Sequence, residues 1–209
     1  MSNTSSTRRR FTPFALLTGV AGSVVLASSM NGSLAAFTAS ITNTTNTAAS
    51  GTVTMQETNF DGSIICNSTD GTGGVSGNTA NCATINKYGG NVAMVPNQTV
   101  TTNIIIKNTG TAPAATFTLT PGTCAQSVNG TVNGSALDFC KKVNVKVTVG
   151  ATAVFTGTAF TLTAPIALAA PVAPGATVAV KFDVTLDTTA DNTYQGLKAS
   201  QPLTWTFSS

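Results

Sequence analysis

The chain is 209 residues long, and only 8% of them are charged, against roughly 25% in an average soluble domain. Its formal charge of +3 comes entirely from Arg8, Arg9 and Arg10, which leaves seven lysines facing seven acids. A neutral body of this kind excludes a nucleic-acid binder that works by neutralising phosphates. The 42% hydrophobic content, arranged in clear alternation, excludes a disordered chain.

At the amino end, Arg8 to Arg10 precede an apolar run from Phe14 to Met30, and small residues follow at Ser33, Ala35 and Ala36. Together these make a secretory signal over residues 1–36, which the sequence predicts to be helical. The run is 17 residues long and is broken by Thr18, Gly19, Gly22 and Ser23. A stable membrane span needs about 20 strongly apolar residues, so cleavage is expected rather than retention as an anchor. Small residues at −3 and −1 favour a cut after Ala35; the neighbouring cut after Ala36 leaves Phe37 first. Thr7 to Phe11 also approximates a twin-arginine signal, so both general secretion and folded export stay open.

Immediately after the cut, Phe37, Ala39 and Ile41 alternate with Thr38, Ser40 and Thr42. A period of two marks a strand with one buried face. Further on, the sequence predicts strands over Thr52–Gln56, Ser63–Asn67, Val100–Lys107, Ala114–Thr120, Val143–Val149, Ala151–Thr156, Phe160–Thr163, Thr177–Leu186 and Pro202–Phe207. The alternation is cleanest in Val143, Val145, Val147 and Val149, and in Val178, Val180, Phe182, Val184 and Leu186. Only Ser135–Lys141 reads as helical, with Ser135 as N-cap. Many short strands separated by turn residues predict an all-β, antiparallel, jelly-roll-like β-sandwich, one domain over residues 37–209.

Four cysteines follow the signal: Cys66, Cys82, Cys124 and Cys140. An even count in an exported chain suggests two disulfides, with three possible connectivities. The first and second cysteines, like the third and fourth, are 16 residues apart and bracket Gly/Asn/Thr/Ser-rich stretches. Local pairing, Cys66–Cys82 and Cys124–Cys140, is therefore expected, closing two long loops.

Several segments resemble one known family. "LAAF" (Leu34 to Phe37) opens the mature chain, and "SGTVTM" (Ser50 to Met55) stands where that family has its second strand. "VPNQTVTTNIIIKNTGTAPA" (Val95 to Ala114) supplies a turn, a strand and an Asn-x-Gly turn. "DNTYQGLKASQPLTWTFSS" (Asp191 to Ser209) resembles the most specific signature, an N-x-Y-Q-G turn leading into the last strand. The chain is similar to members of the TasA/camelysin family, exported proteins handled by the SipW type of signal peptidase. The resemblance implies a jelly-roll subunit of extracellular fibres in the biofilm matrix or at the cell surface. It also implies that Phe37, Ala39 and Ile41 form a donor strand completing the sheet of the next subunit. The expected partners are then other copies of the chain in a homopolymer, a SipW-type peptidase, and a paralogous matrix or anchoring subunit. In the turn motif, Asn192 and Gly196 suit tight backbone geometry, while Tyr194 packs its ring and Gln195 completes the turn. That role is structural.

Camelysin-type relatives are catalogued as metallopeptidases, yet the chain has no histidine, on which catalytic zinc sites and Ser-His or Cys-His nucleophiles rely. No Cys-x2-4-Cys pair suggests zinc. Asp183, Asp187 and Asp191 are four apart on an extended segment, so they do not converge; Asp61 and Asp70 beside Gly-rich turns suit at most a weak calcium site. The expectation is a non-enzyme without cofactor. A monomeric adhesion module is the rival reading, with Tyr88 in the turn "NKYGGN" as the aromatic to contact a partner, and Trp205 assigned to the core.

Overall fold

The computed structural model describes residues 40–209. The chain divides into Met1–Ala48 and Ala49–Ser209. The expected signal peptide, the cleavage residues Ala35, Ala36 and Phe37, and the donor position Ala39 lie outside the described residues. Of the first unit, residues 40–48 carry no regular secondary structure, and Ile41 is fully exposed. The strand expected to run to Asn43 is therefore not formed over residues 40–43.

The second unit is all-β and antiparallel. Its strands are β1 (Met55–Asn59), β2 (Ile65–Asn67), β3 (Thr99–Asn108), β4 (Thr116–Pro121), β5 (Ala125–Val128), β6 (Val143–Val149), β7 (Thr152–Thr158), β8 (Ile166–Ala169), β9 (Thr177–Leu186), β10 (Leu197–Ser200) and β11 (Leu203–Ser208). One layer is a six-stranded sheet in the order β2-β1-β3-β9-β6-β7. The facing layer consists of two pieces, β11-β4-β8 and β10-β5. These pieces run on into one another: Leu203 faces Pro121, Ser200 faces Ala125, and Gly122 N donates to Pro202 O at 2.8 Å between them. β4–β5 and β10–β11 are thus two bent ribbons paired along their length, with β8 on the far side of β4.

Alternation decides which face each strand buries. Ile104 and Ile106 on β3, Val145 and Val147 on β6, and Val180, Phe182 and Val184 on β9 are all within 2% of full burial. Phe117 and Leu119 on β4 meet them from the other layer and are equally enclosed. Each such side chain contributes roughly 1.5–3 kcal/mol by leaving water. Phe182 lies edge-on to Trp205, 6.1 Å between ring centroids, which joins the two layers.

Asn108 is the most deeply buried of three polar side chains enclosed among the described residues, with Glu57 and Thr148. It is fully buried, and its Nδ2 donates to Ala112 O at 3.0 Å and Val172 O at 2.9 Å. Its Oδ1 accepts from Gly110 N at 2.9 Å. The Asn-x-Gly turn after β3 is held together by this saturated amide, and buried amides are tolerated only when partnered in this way.

Both disulfides are the local ones, Cys66–Cys82 and Cys124–Cys140. Several local expectations are corrected. Ser135–Lys141 is no helix; it contains only a 3-10 turn at Phe139–Lys141, and Ser135 caps nothing. Gln126 Oε1 accepts from Phe139 N at 2.6 Å, and Cys140 is bonded to Cys124, so the segment is pinned by distant partners rather than by its own turns. Phe160–Thr163 is a turn, not a strand, because the Thr161 hydroxyl takes up Thr158 N at 2.9 Å and returns its proton to Thr158 O at 3.0 Å. The first strand starts at Met55 instead of Thr52, since Thr52 O is already engaged by Thr111 N and Ala112 N, both at 2.9 Å.

Candidate functional site

A hollow of about 1340 Å³ opens between the layers, and one long wall of it is the β10–β11 ribbon. Every residue from Leu197 to Phe207 lines it, the outward-facing Thr204 and Thr206 as well as the inward-facing Leu203, Trp205 and Phe207. Consecutive lining residues from both faces of a strand mean that the hollow reaches the edge of the strand. That edge is unpaired: β11 pairs with β4 on one side and, among the described residues, with no strand on the other. Leu203, Trp205 and Phe207 are only half-buried, unlike the inner face of β9.

The opposite wall comes from Met55 and Glu57 on β1 and from Val184 and Leu186 on β9. A third wall is the irregular segment before β3, anchored to both layers. Cys82 ties it to β2, and Ile85 is buried, 5% exposed. Lys87 places its ammonium 2.7 Å from Oε1 of the buried Glu57 on β1. The Tyr88 hydroxyl donates to Gln201 Oε1, while Gln201 Nε2 donates to Leu162 O at 2.6 Å and to Gly122 O at 2.7 Å. Burial pushes the Tyr88 phenol above its ordinary pKa. Tyr88 was expected as an exposed partner contact; the structure turns it inward, because its hydroxyl partner lies 113 residues away and no local pattern announces it.

The N-x-Y-Q-G turn serves structure. Asp191 accepts from Thr193 N at 2.9 Å and caps the 3-10 turn Asn192–Tyr194. Gln195 Nε2 donates to Asn192 Oδ1 at 3.0 Å. Gly196 has φ +64°, and a Cβ there would stand 2.0 Å from Val132 O, so the turn admits no side chain at that position. The Tyr194 hydroxyl donates to Asp138 Oδ1 at 2.8 Å; that bond raises the phenol's pKa, and the Lys142 ammonium sits 5.4 Å from the ring centroid. The motif staples the loop that runs from β5 to the 3-10 turn, and it delivers β10 to the hollow.

Of the acidic residues, Asp61, Asp70, Asp187 and Asp191 form turns, while Asp183 lies within β9 and accepts from the Thr101 hydroxyl at 2.8 Å. Asp61 Oδ1 accepts from Ser63 N at 2.9 Å, and Asp70 Oδ2 accepts from Asn67 N at 2.7 Å. Hydrogen bonds from the Thr189 side chain and backbone, then from Asn144, lower the Asp187 pKa to about 2. Among the described residues no three His, Cys, Asp or Glu side chains gather in a metal-binding group.

No family model matches the chain, and no curated protein matches it. The class defined by the fold and the site is an all-β, disulfide-closed antiparallel sandwich in which, among the described residues, the β11 edge of the second layer is unpaired beside a partly apolar hollow. The two disulfides mark folding in an oxidising environment, extracellular or otherwise secreted. No helix among the described residues is long and apolar enough to cross a membrane.

Proposed function

We propose that this chain is a secreted structural subunit of extracellular fibres, in a biofilm matrix or at the cell surface, and that it polymerises by donor-strand exchange after its signal is removed. The segment Phe37 to Asn43 of one copy lies along β11 of the next. Its main chain pairs with the free edge, and its alternate side chains enter the hollow. One observation carries this reading: the β10–β11 ribbon is unpaired along the side that borders the hollow, among the described residues.

An open edge with a half-buried apolar face is a template for another strand. β11 offers six residues, and each added main-chain hydrogen bond contributes roughly 0.5–1.5 kcal/mol net. Ile41, fully exposed, and Phe37 would each add roughly 1.5–3 kcal/mol on burial. The segment from Phe37 to Asn43 carries no charge, so no ion needs desolvation on entry. Before cleavage the signal tethers that segment at the membrane, and processing releases it. The resemblance to TasA/camelysin proteins supplies two further expectations: a SipW-type peptidase does the cutting, and a paralogous subunit joins or anchors the fibre. The reading as a non-enzyme rests instead on the lack of histidine.

Purified protein beginning at Phe37 is expected to form concentration-dependent filaments in negative-stain micrographs, and a version lacking Phe37 to Asn43 to stay monomeric. If both stay monomeric and the longer one binds polysaccharide, the protein is an adhesion module instead.

A further inference from the structure

The β10–β11 ribbon has two ends, and the main chain joins the sandwich at one of them. There Ser208 closes β11 opposite Thr116, directly after the connection between β3 and β4. That connection holds the entering chain: Thr52 O accepts from Thr111 N and Ala112 N, both at 2.9 Å. At the other end β10 begins, where Asn129 N donates to Gly196 O and Asn129 Nδ2 to Val92 O, each at 2.7 Å. Three valines stand exposed on this far rim, Val92 at 70%, Val128 at 61% and Val132 at 80%. Val92 lines the hollow, Val128 faces Leu197, and the Val132 carbonyl lies against Gly196. Neither end carries a charge over residues 109–116 or 128–136.

The direction of a docked segment decides what two copies build. A segment parallel to β11 leaves the hollow at the Thr116 end, where the acceptor's own segment also departs. Two copies then meet by like ends, exchange segments and close as a two-fold dimer. A segment antiparallel to β11 leaves at the β10 end, and the contact repeats without closing. Only the second direction uses the free edge of β10, which pairs with β5 alone among the described residues, and only it covers the valine rim.

We propose that the segment docks antiparallel to β11 and continues past Asn43 along β10 to Thr47, so that copies stack head to tail with the Thr111 end of one seated on the valine rim of the next. This rests on the docking proposed above. Phe37 then lies opposite Phe207, Ala39 opposite Trp205 and Ile41 opposite Leu203, all on the inner face. Beyond the bend at Pro202, Asn46 lies opposite Lys198, and the polar stretch Thr42–Thr47 follows a wall that includes Asn91, Asn192 and Gln195. From Thr47 the chain reaches Thr52 of its own body in at most about 18 Å. The donor body is therefore held against the acceptor, and the uncharged, apolar rim is buried by it.

The test uses chains beginning at Phe37, with one cysteine added to each and an affinity tag on one partner so that mixed dimers can be scored. Asn46→Cys is oxidised with Lys198→Cys in one mixture and with Thr111→Cys in another; Ser40→Cys with Thr204→Cys or Thr206→Cys serves as the docking control. Mixed dimers of Asn46→Cys are expected with Lys198→Cys and not with Thr111→Cys. A positive control with the reverse pattern, with both dimers equally, or with neither overturns the direction and leaves docking intact. A control that fails at both positions overturns the docking reading and this one with it. In a second measurement, Val128→Ser combined with Val132→Ser is expected to raise the protein concentration needed for filaments on the order of tenfold. Its affinity for a labelled peptide of sequence FTASITNTTNT should be unchanged. Unaltered filament formation overturns the seating on the valine rim, and absence of peptide binding by the unsubstituted chain overturns docking itself.

Discussion

The two layers of the sandwich are made from similar sequence and end in different states. In the six-stranded layer, β9 is flanked by β3 and β6 along nearly its whole length, and Val180, Phe182, Val184 and Leu186 are buried in succession. In the facing layer, β11 shows the same two-residue alternation, yet Leu203, Trp205 and Phe207 remain half-buried and one edge stays free. Alternation sets which side chains point inward. Whether they are buried depends on the neighbouring strand, and at β11 the described residues provide only one. The six-stranded layer holds the fold, and the open ribbon is where the proposed docking would take place.

Substitutions should separate these roles, and the largest effect is expected in the closed layer. Phe182→Ala should cost about 3–5 kcal/mol in chemical denaturation, because the ring is fully enclosed and its loss leaves a cavity. Phe207→Ala on the open ribbon should cost clearly less in the unassembled protein while weakening filament formation. Equal stability losses at the two sites would erase the distinction.

Next in size is the disulfide beside the hollow. Replacing Cys66 and Cys82 together by Ser removes the closure of a loop with a sequence separation of 16, worth on the order of 3 kcal/mol. The Cys124–Cys140 bond and the closed layer should survive, which mass spectrometry and circular dichroism would verify. The wall that carries Lys87 and Tyr88 should loosen, seen as faster amide exchange between residues 78 and 96.

A smaller effect is expected at the staple. Gly196→Ala forces a side chain into left-handed backbone, at a cost of roughly 1–2 kcal/mol, before the contact with Val132 O is counted. Thermal unfolding should report it.

The smallest effect is the pH response of Asp187. Its folded pKa, lowered to about 2, lies below the ordinary carboxylate value, so the charged form is the one that the Thr189 and Asn144 bonds favour. That stability is present above about pH 4 and is lost as pH falls through about 2. Asp187→Asn should flatten the stability profile in that window and leave it unchanged in slope above it.

The sequence makes the strongly alternating strands plain. Val143–Val149 and Thr177–Leu186 appear with the bounds their valines mark. It conceals β5, β8 and β10, whose sequences AQSV, IALA and LKAS lack a β-branched rhythm and become strands only because β10, β4 and β5 pair with them. The cysteine spacing suffices for the pairing because both bonds close local loops. The hollow and the free edge are invisible in sequence. They depend on where Gln201 meets Tyr88 and on which ribbon lacks a neighbour, and both are matters of long-range placement. Trp205 was expected in the core by alternation. It does pack on Phe117 and Phe182.

The most direct measurement is a cysteine trap between the two partners of the proposed joint. Thr38, Ser40 or Thr42 is replaced by Cys in one preparation, and Thr204 or Thr206 in a second, each with its signal removed. Mixed under mild oxidation, at least one combination should yield a disulfide-bonded dimer on a non-reducing gel, and a chain carrying both substitutions should give ladders of higher oligomers. A doubly substituted chain that closes the bond within itself, as a monomer and with no ladder, would contradict the account.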